Sequence, residues 1–473
     1  MSPTVRTQHA AIAALLVTGL AFLGCGGSSS STMASTTPAP SAPNATKLQV
    51  SLGDAPADWI MAFGMTVNSI TLTGSGGNTV NVMPTASSME MVQTMATVQP
   101  ISSVTVPQGT YTQAMVSFSA VTMGYLDPAT HAYTQKTMAG PYTATVPFSP
   151  AMTVGASPMA LSFDMNMGAS VAKDAAGNIT ISPVMTASMG SAAGTGTNPW
   201  QGTMQHQIGA VAAVSGSTFT MGSMMGAQQL SFMTNASTRF TGTGFSGIGT
   251  MATGMLVAVD AALQPDGSYM AQRVESMGVG ATGMMGGGVV TSITGNPATQ
   301  ITMAANAGQG GGMMVSAIAG TLTVTIPAAT PYSVDASGVD LTGLPFSPVF
   351  DAASLSKGQR VEVVSGSGMM GGGMMGGQGT LTASQVRLQQ QGFHGTVSGY
   401  TLTGSQASFL LTLPADSAFT TLTGATTIQV YQQAGTQLHG LTAIANTNEV
   451  VARGLLFKDG STYRLVASWI VAP

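Results

Sequence analysis

The chain has 473 residues, of which only 6% are charged, against about 25% in an ordinary soluble protein. A formal net charge of -4, with the few Lys and Arg dispersed along the sequence, leaves no basic stripe to neutralise phosphates, so nucleic acid is not expected as a partner. The length allows about three or four domains, and the single cysteine excludes an internal disulfide, so apolar packing has to supply stability.

Residues 1–24 read as an export signal. Ala11 to Leu23 is an apolar run too short to span a bilayer, and it follows Arg6 with no acid before it. Phe22-Leu23-Gly24-Cys25 resembles the lipobox of bacterial lipoproteins, with Phe22 standing where that pattern prefers Leu. The resemblance implies that Cys25 is lipidated and becomes the mature N-terminus, with a diacylglyceryl thioether and an N-acyl chain, enough for stable anchoring. Gly26 stands where an Asp would signal inner-membrane retention, so outer-membrane sorting is expected. The expected location is therefore exported and lipid-anchored to the cell envelope, with the membrane as a partner through Cys25. Residues 25–46 are almost entirely Gly, Ser, Thr, Pro and Ala, which buries too little apolar surface to offset ordering entropy and reads as a disordered tether.

From Lys47 the pattern changes to short alternating runs broken by Gly, Pro and Asn. Val67, Ser69, Ile70 and Leu72 precede Gly74-Ser75-Gly76-Gly77-Asn78, after which Val80 and Val82 resume, a strand, turn, strand signal. Val104 to Val106, Pro107-Gln108-Gly109 and Ala114 to Phe118 give another. Residues 47–196 therefore read as an all-β sandwich, since short strands at regular spacing need a second sheet over their apolar faces. Leu48 to Pro56, the Val67 to Leu72 strand, Val106-Pro107-Gln108-Gly109-Thr110-Tyr111-Thr112 and Leu161 to Met165 resemble the domain-of-unknown-function family numbered 4382, over about residues 47–186. That resemblance implies a fold class and an envelope setting, and no activity. Asp54, before Ala55-Pro56, reads as a turn-capping carboxylate.

The remainder carries an imperfect repeat in three β modules, 197–282, 283–390 and 391–473. The first and third place Pro265-Asp266-Gly267-Ser268 and Lys458-Asp459-Gly460-Ser461 in a closing hairpin. In the middle unit Gly368 to Gly379 replaces that turn. The order of Val211 to Val214 and Gly216, of Val289-Val290, Ile293 and Gly295, and of Gly395, Val397 and Gly399 looks like the domain-of-unknown-function family numbered 5666, in about three copies over 202–473. Small five- or six-stranded barrels or sandwiches are expected.

Catalytic signatures are scarce, and no enzyme activity, catalytic residue or cofactor is expected. Gly242-Thr243-Gly244-Phe245-Ser246-Gly247 matches a dinucleotide fingerprint by letter, but no helical pattern follows to aim an N-terminus at a pyrophosphate. His131, His206, His394 and His439 lie far apart with no ligand at metal spacing. Asp54, Asp58, Asp127, Asp164 and Asp174 could pair only through the fold. Methionine is the exception, with 35 residues, many in Gly-flanked pairs that include Met284-Met285. Met224, Met225, Met313, Met314, Met369, Met370, Met374 and Met375 are the candidate metal ligands, because thioethers are soft and favour Cu(I). The competing reading makes them low-complexity hairpin loops with other Met residues filling cores. The function expected is a non-enzymatic, lipid-anchored envelope protein with a binding or display role toward a surface glycan or envelope protein; the alternative is a copper-binding or copper-buffering lipoprotein.

Overall fold

Alternation of Leu48, Val50 and Leu52 with Gln49, Ser51 and Gly53 makes the first strand, and both of its faces are buried, which sets the architecture around it. The computed structural model describes residues 44–472, except 56, 93–97, 128–129, 175–176, 192–201, 224–228, 243, 281–283, 307–319, 366–377 and 405. Nearly all regular structure in it is β, as the composition of the segments from Lys47 implies.

The sandwich is built from β1 (Ala45–Ala55), β2 (Ile60–Gly74), β3 (Thr79–Asn81), β4 (Ser87–Glu90), β5 (Val98–Pro107), β6 (Gly109–Leu126), β7 (Tyr133–Met138), β8 (Tyr142–Val154), β9 (Met159–Asn166), a helical turn α1 (Met167–Ser170), and β10 (Val171–Lys173), β11 (Ile179–Ile181) and β12 (Met185–Ser191). One sheet runs β12-β9-β1-β5; the other runs β3-β2-β6-β7, with β4 on β2 and β8 on β6. Leu48, Val50 and Leu52 from the first sheet meet Phe63, Val67, Val116 and Phe118 from the second in one apolar core. Burying such side chains stabilises by roughly 1.5–3 kcal/mol each.

The outer face of β1 is covered by the next module. That module contains β13 (Thr203–Ser215), β14 (Thr218–Ser223), β15 (Gln229–Met233), β16 (Arg239–Thr241), β17 (Met255–Leu263) and β18 (Tyr269–Gly280). Gln49 donates to the Thr203 carbonyl at 3.5 Å, and the Lys47 ammonium reaches the Gly267 carbonyl and lies 5.1 Å from the Tyr269 ring centroid. The strands close on themselves: β15-β14-β13-β17-β18 are antiparallel neighbours and β15 returns to β18 in parallel.

The same ring recurs twice. The middle module has β19 (Met284–Thr294), β20 (Gln300–Asn306), β21 (Thr321–Thr325), β22 (Tyr332–Val334), β23 (Arg360–Ser365), β24 (Gln378–Thr382) and β25 (Gln385–Leu388). Its fifth strand is split at Ala383-Ser384, so that β24 pairs in parallel with β21 while β25 pairs antiparallel with β23. The last module has β26 (Gln391–Thr403), β27 (Gln406–Thr412), a short helix α2 (Ala418–Thr423), β28 (Thr427–His439), β29 (Glu449–Asp459) and β30 (Thr462–Val471), and forms a closed barrel β26-β27-β28-β30-β29. Numbered within each module, the order is 1-2-3-5-4, the closed five-stranded Greek-key arrangement found in OB-folds, which removes sheet edges.

Two local devices repeat with the ring. Gly209, Gly288 and Gly395 each open a Gly-x-Val on the first strand, where a Cβ would collide with the backbone carbonyl of Gly222, Ala304 or Thr412 on the second. Before the fourth strand, a residue with positive φ, Gly254, Gly358 or Thr447, donates its N–H to the carbonyl of that valine, Val211, Val290 or Val397, at 2.8, 2.9 and 2.8 Å. Adjacent modules then share cores. Leu455, Phe457 and Val466 of the last barrel sit in the apolar cluster of the middle one, and Ile208, Leu256 and Met277 pack on Met285 and Val364.

Candidate functional site: a charge junction between the first two barrels

In a chain with so few charges, the densest gathering of them is internal. Asp260 on β17 and Arg273 on β18 are cross-strand partners around the Asp266-Gly267 hairpin, and Glu362 on β23 faces Arg387 on β25 in the same way. Docking of the two barrels brings these pairs together. Arg273 Nε donates to Asp260 Oδ2 at 2.9 Å, its Nη1 lies 3.2 Å from Glu275 Oε2, and its Nη2 crosses to Asp335 Oδ1 of the next module at 3.5 Å. Arg387 Nη2 lies 3.2 Å from the same Asp335 oxygen, and its Nη1 returns to Glu275 Oε1. Each arginine therefore bridges both modules.

His206 enters through a bulge. The β13–β17 register shifts between Met204 and Gln207, and His206 takes φ 47°, which turns its N–H onto Asp260 Oδ1 at 2.7 Å and leaves its ring 3.8 Å from Asp335 Oδ2. Burial alone would push the Asp335 carboxyl up; the charges of His206, Arg387 and Arg273, with the Ser337 hydroxyl, hold it well below the ordinary range. Burial opposes the charge on Arg387, but Asp335 and Glu275 outweigh it and raise its pKa. Glu362 is pushed up by burial, although Gln389 Nε2 donates to it at 3.0 Å. Because both guanidiniums spend donors on carboxylates, the chemistry of the cluster is that of a latch between barrels, in which the desolvation of each ion is offset by its partners.

Most of the residues named from sequence lie elsewhere. Cys25, Met224, Met225, Met313, Met314, Met369, Met370, Met374 and Met375 are outside the described residues. Met285 is buried between modules as packing. Among the described residues, no group of three or more His, Cys, Asp or Glu is placed to hold a metal. His131 sits in an exposed turn, its N–H donating to the Asp127 carbonyl at 2.8 Å, and His439 packs edge-on to Trp469. His394 on β26 pairs with Asp58 of the sandwich at 3.0 Å, and that hydrogen bond is the main cause of its raised pKa. After Gly242 to Gly247 comes a three-residue 3-10 turn, Ile248–Thr250.

Two expectations need correction. Asp54 is no turn cap: it lies within β1, 5% exposed, its Oδ1 without a hydrogen bond, and burial first, then Asp164 and Glu90, push its carboxyl well up. The dispersal of arginines along the sequence is also misleading, since Arg273 and Arg387 meet in space although more than a module separates them in the chain.

Residues 208–275, from β13 into β18, match the model of the family described as Domain of unknown function (DUF5666). No curated protein matches the chain. Among solved structures, the chain is similar to a deletion mutant of the single-stranded DNA-binding protein from Thermus aquaticus, at 13% identity and a TM-score of 0.15, covering 40% of this chain and 93% of that one. A likeness that weak carries no argument about fold or ligand. The partners expected from the sequence, the membrane through lipidated Cys25 and a surface glycan or envelope protein with nucleic acid excluded, are not upheld as an assignment. That exclusion assumed scattered basic residues, and the structure brings two of them, Arg273 and Arg387, together on carboxylates; none of those partners has support in the comparisons, and nucleic acid is not established either.

Proposed function

We propose that the protein is an exported, lipid-anchored, non-enzymatic component of a bacterial cell envelope whose folded part serves as a rigid display body. The observation that carries the reading is the way the modules are joined. Residues 43–473 form one compact unit, in which each module boundary is crossed by hydrogen bonds, a shared apolar cluster or ion pairs, with the ion pairs between the first two barrels and between the sandwich and the last. An array joined in that way holds its loops at fixed separations, as a display role needs. The resemblance of Phe22 to Cys25 to a lipobox supports the anchor, and the recurrence of one ring and one pair of backbone devices supports reading 202–473 as three copies of the 5666-type unit. The 4382-type reading of 47–186 rests on its motifs alone. Expressed in a bacterial host, the wild type should fractionate with membranes and label with a fatty-acid probe, and Cys25→Ser should do neither; retention of Cys25→Ser in the membrane would sink the anchor.

A second reading, Cu(I) binding or buffering by the Met/Gly segments, has one observation in its favour. The strands that follow segments 307–319 and 366–377 begin side by side, with Thr321 paired to Gln378. An anaerobic Cu(I) competition titration should then show saturable binding that the combined Met369, Met370, Met374 and Met375→Leu replacement abolishes; absence of competition removes this reading.

A further inference from the structure

Three of the five lysines are spent on the fold. The Lys47 ammonium reaches the Gly267 carbonyl, Lys136 donates to the Gly177 carbonyl at 2.6 Å, and the Lys173 ammonium lies 5.1 Å from the Trp59 ring centroid. The other two, Lys357 and Lys458, line one cleft of about 580 Å³ between the second and third barrels. Among the described residues, neither ammonium has a hydrogen bond or an ion pair.

Tyr463 places both of them. It is buried on β30, its hydroxyl donates to the Lys357 carbonyl at 3.0 Å, and the Lys458 ammonium stands 5.2 Å from its ring centroid. Phe419 of α2 packs edge-on to the same ring at 4.9 Å, so one fixed aromatic side chain holds the root of one lysine and the head of the other.

Negative charge is kept out of the cleft. No Asp or Glu is among its lining residues. Asp459 is held by Arg464 Nε at 2.9 Å, and Asp351 accepts the N–H groups of Ala353 and Ser354 at 3.0 and 2.8 Å. The last carbonyls of α2, which would repel an anion, are taken as well: Phe419 O accepts from Thr423 Oγ1 at 2.7 Å and Thr420 O from the Gly424 N–H at 2.8 Å. The rest of the wall mixes the hydroxylic Ser354, Ser356 and Thr423 with Ile293, Leu355 and Leu422. In a chain of net charge -4, two ammoniums on one concave surface without a counter-charge select for an anion.

We propose that this cleft binds a soluble phosphate monoester with a small hydroxylated body, of sugar phosphate size, its phosphate on the Lys357 and Lys458 ammoniums and its body along Ser354, Ser356 and Thr423. The volume sets the size: clefts of about 300–1,000 Å³ suit small organic ligands, and inorganic phosphate would leave most of this one to water. The cations set the class. An ammonium is a compact, strongly hydrated point charge that suits a phosphate, whereas a planar carboxylate is matched by the fork of an arginine, and no arginine is among the lining residues. The mixed wall of hydroxyls and short aliphatic groups suits a hydroxylated body and offers no apolar channel to an acyl chain. The site goes beyond the display role and fails independently of it, since neither the anchor nor the module joints use these two ammoniums.

The test is calorimetric titration of the Cys25→Ser chain, full length after the signal, with glucose 6-phosphate, glucose and inorganic phosphate at constant ionic strength near neutral pH. Glucose 6-phosphate should bind saturably at one site, with glucose and inorganic phosphate at least about tenfold weaker, the scale of losing the charged hydrogen bonds or the contacts of the body. Lys357→Gln and Lys458→Gln, both at exposed positions, should each weaken binding about tenfold while leaving the urea midpoint unchanged, and Lys173→Gln, outside the cleft, should leave the affinity as it is. Equal binding of glucose or of inorganic phosphate in the wild type, which needs no variant to fold, would overturn the proposal, as would an affinity that Lys357→Gln and Lys458→Gln leave unchanged.

Discussion

Thr447 shows at one position how much the barrel asks of its backbone. In the first two barrels the residue before the fourth strand is glycine, at φ 84° in both Gly254 and Gly358; in the third it is threonine at φ 73°. A β-branched residue there crowds its own carbonyl, at a cost of roughly 1–2 kcal/mol, yet the N–H to Val397 is kept. Thr447→Gly should raise the unfolding free energy by about 1 kcal/mol, the relief of strain being partly offset by the greater freedom of glycine in the unfolded chain. Urea denaturation compares the two directly, and a lower midpoint in the variant would count against the assigned strain. The turning glycines Gly216, Gly295 and Gly399 are readable in the sequence because each follows a short apolar run. Thr447 is not, because threonine gives no sign of a left-handed backbone.

At the scale of elements, the junction between the first two barrels is a set of cross-strand pairs made to face one another. Asp260 with Arg273 follows from the hairpin register around Asp266-Gly267, and so is legible once that turn is identified. Their meeting with Asp335 and Arg387 is not, since it depends on how two closed rings dock and no local pattern encodes it. The turn expected at Asp54 gives way for a related reason: Asp-Ala-Pro has turn chemistry, but Ala45–Ala55 is a strand whose residues 48–54 are buried on both faces, and tertiary burial overrides the local preference. Removing one partner from the junction should be severe. Arg387→Met leaves Glu275 and Asp335 buried with less compensation and should cost about 3–5 kcal/mol near neutral pH. The sign with pH follows from Asp335, whose folded pKa is depressed: its contribution is present above the ordinary aspartate range and is lost as pH falls through the folded value. The gap between wild type and Arg387→Met, read as a difference in denaturation midpoint, should therefore narrow as the pH is lowered into and below that range; a gap that stays constant would mean the loss is one of packing.

For the whole molecule, one sandwich and three rings of the same topology are joined by continuous contacts. β1 is the pivot on one side, its outer face on the first barrel. The Asp58 turn is the pivot on the other: its carbonyl accepts the Ala418 N–H at 2.7 Å and its carboxylate holds His394. The sequence pattern is enough to read strands, hairpins and the recurrence of a unit. The closure of each ring is harder to see, because the third strand meets the fifth in parallel across a long connection, and in the middle barrel the fifth strand is split into β24 and β25. The central claim is that these four modules behave as one body. Differential scanning calorimetry of the Cys25→Ser chain tests it most directly, by comparing the van't Hoff enthalpy of the main transition with the calorimetric enthalpy. A single transition with the two enthalpies equal is the result expected of modules that share cores and buried charges; several resolved transitions, or a van't Hoff enthalpy well below the calorimetric one, would mean that the modules unfold independently and that the array is not a rigid body.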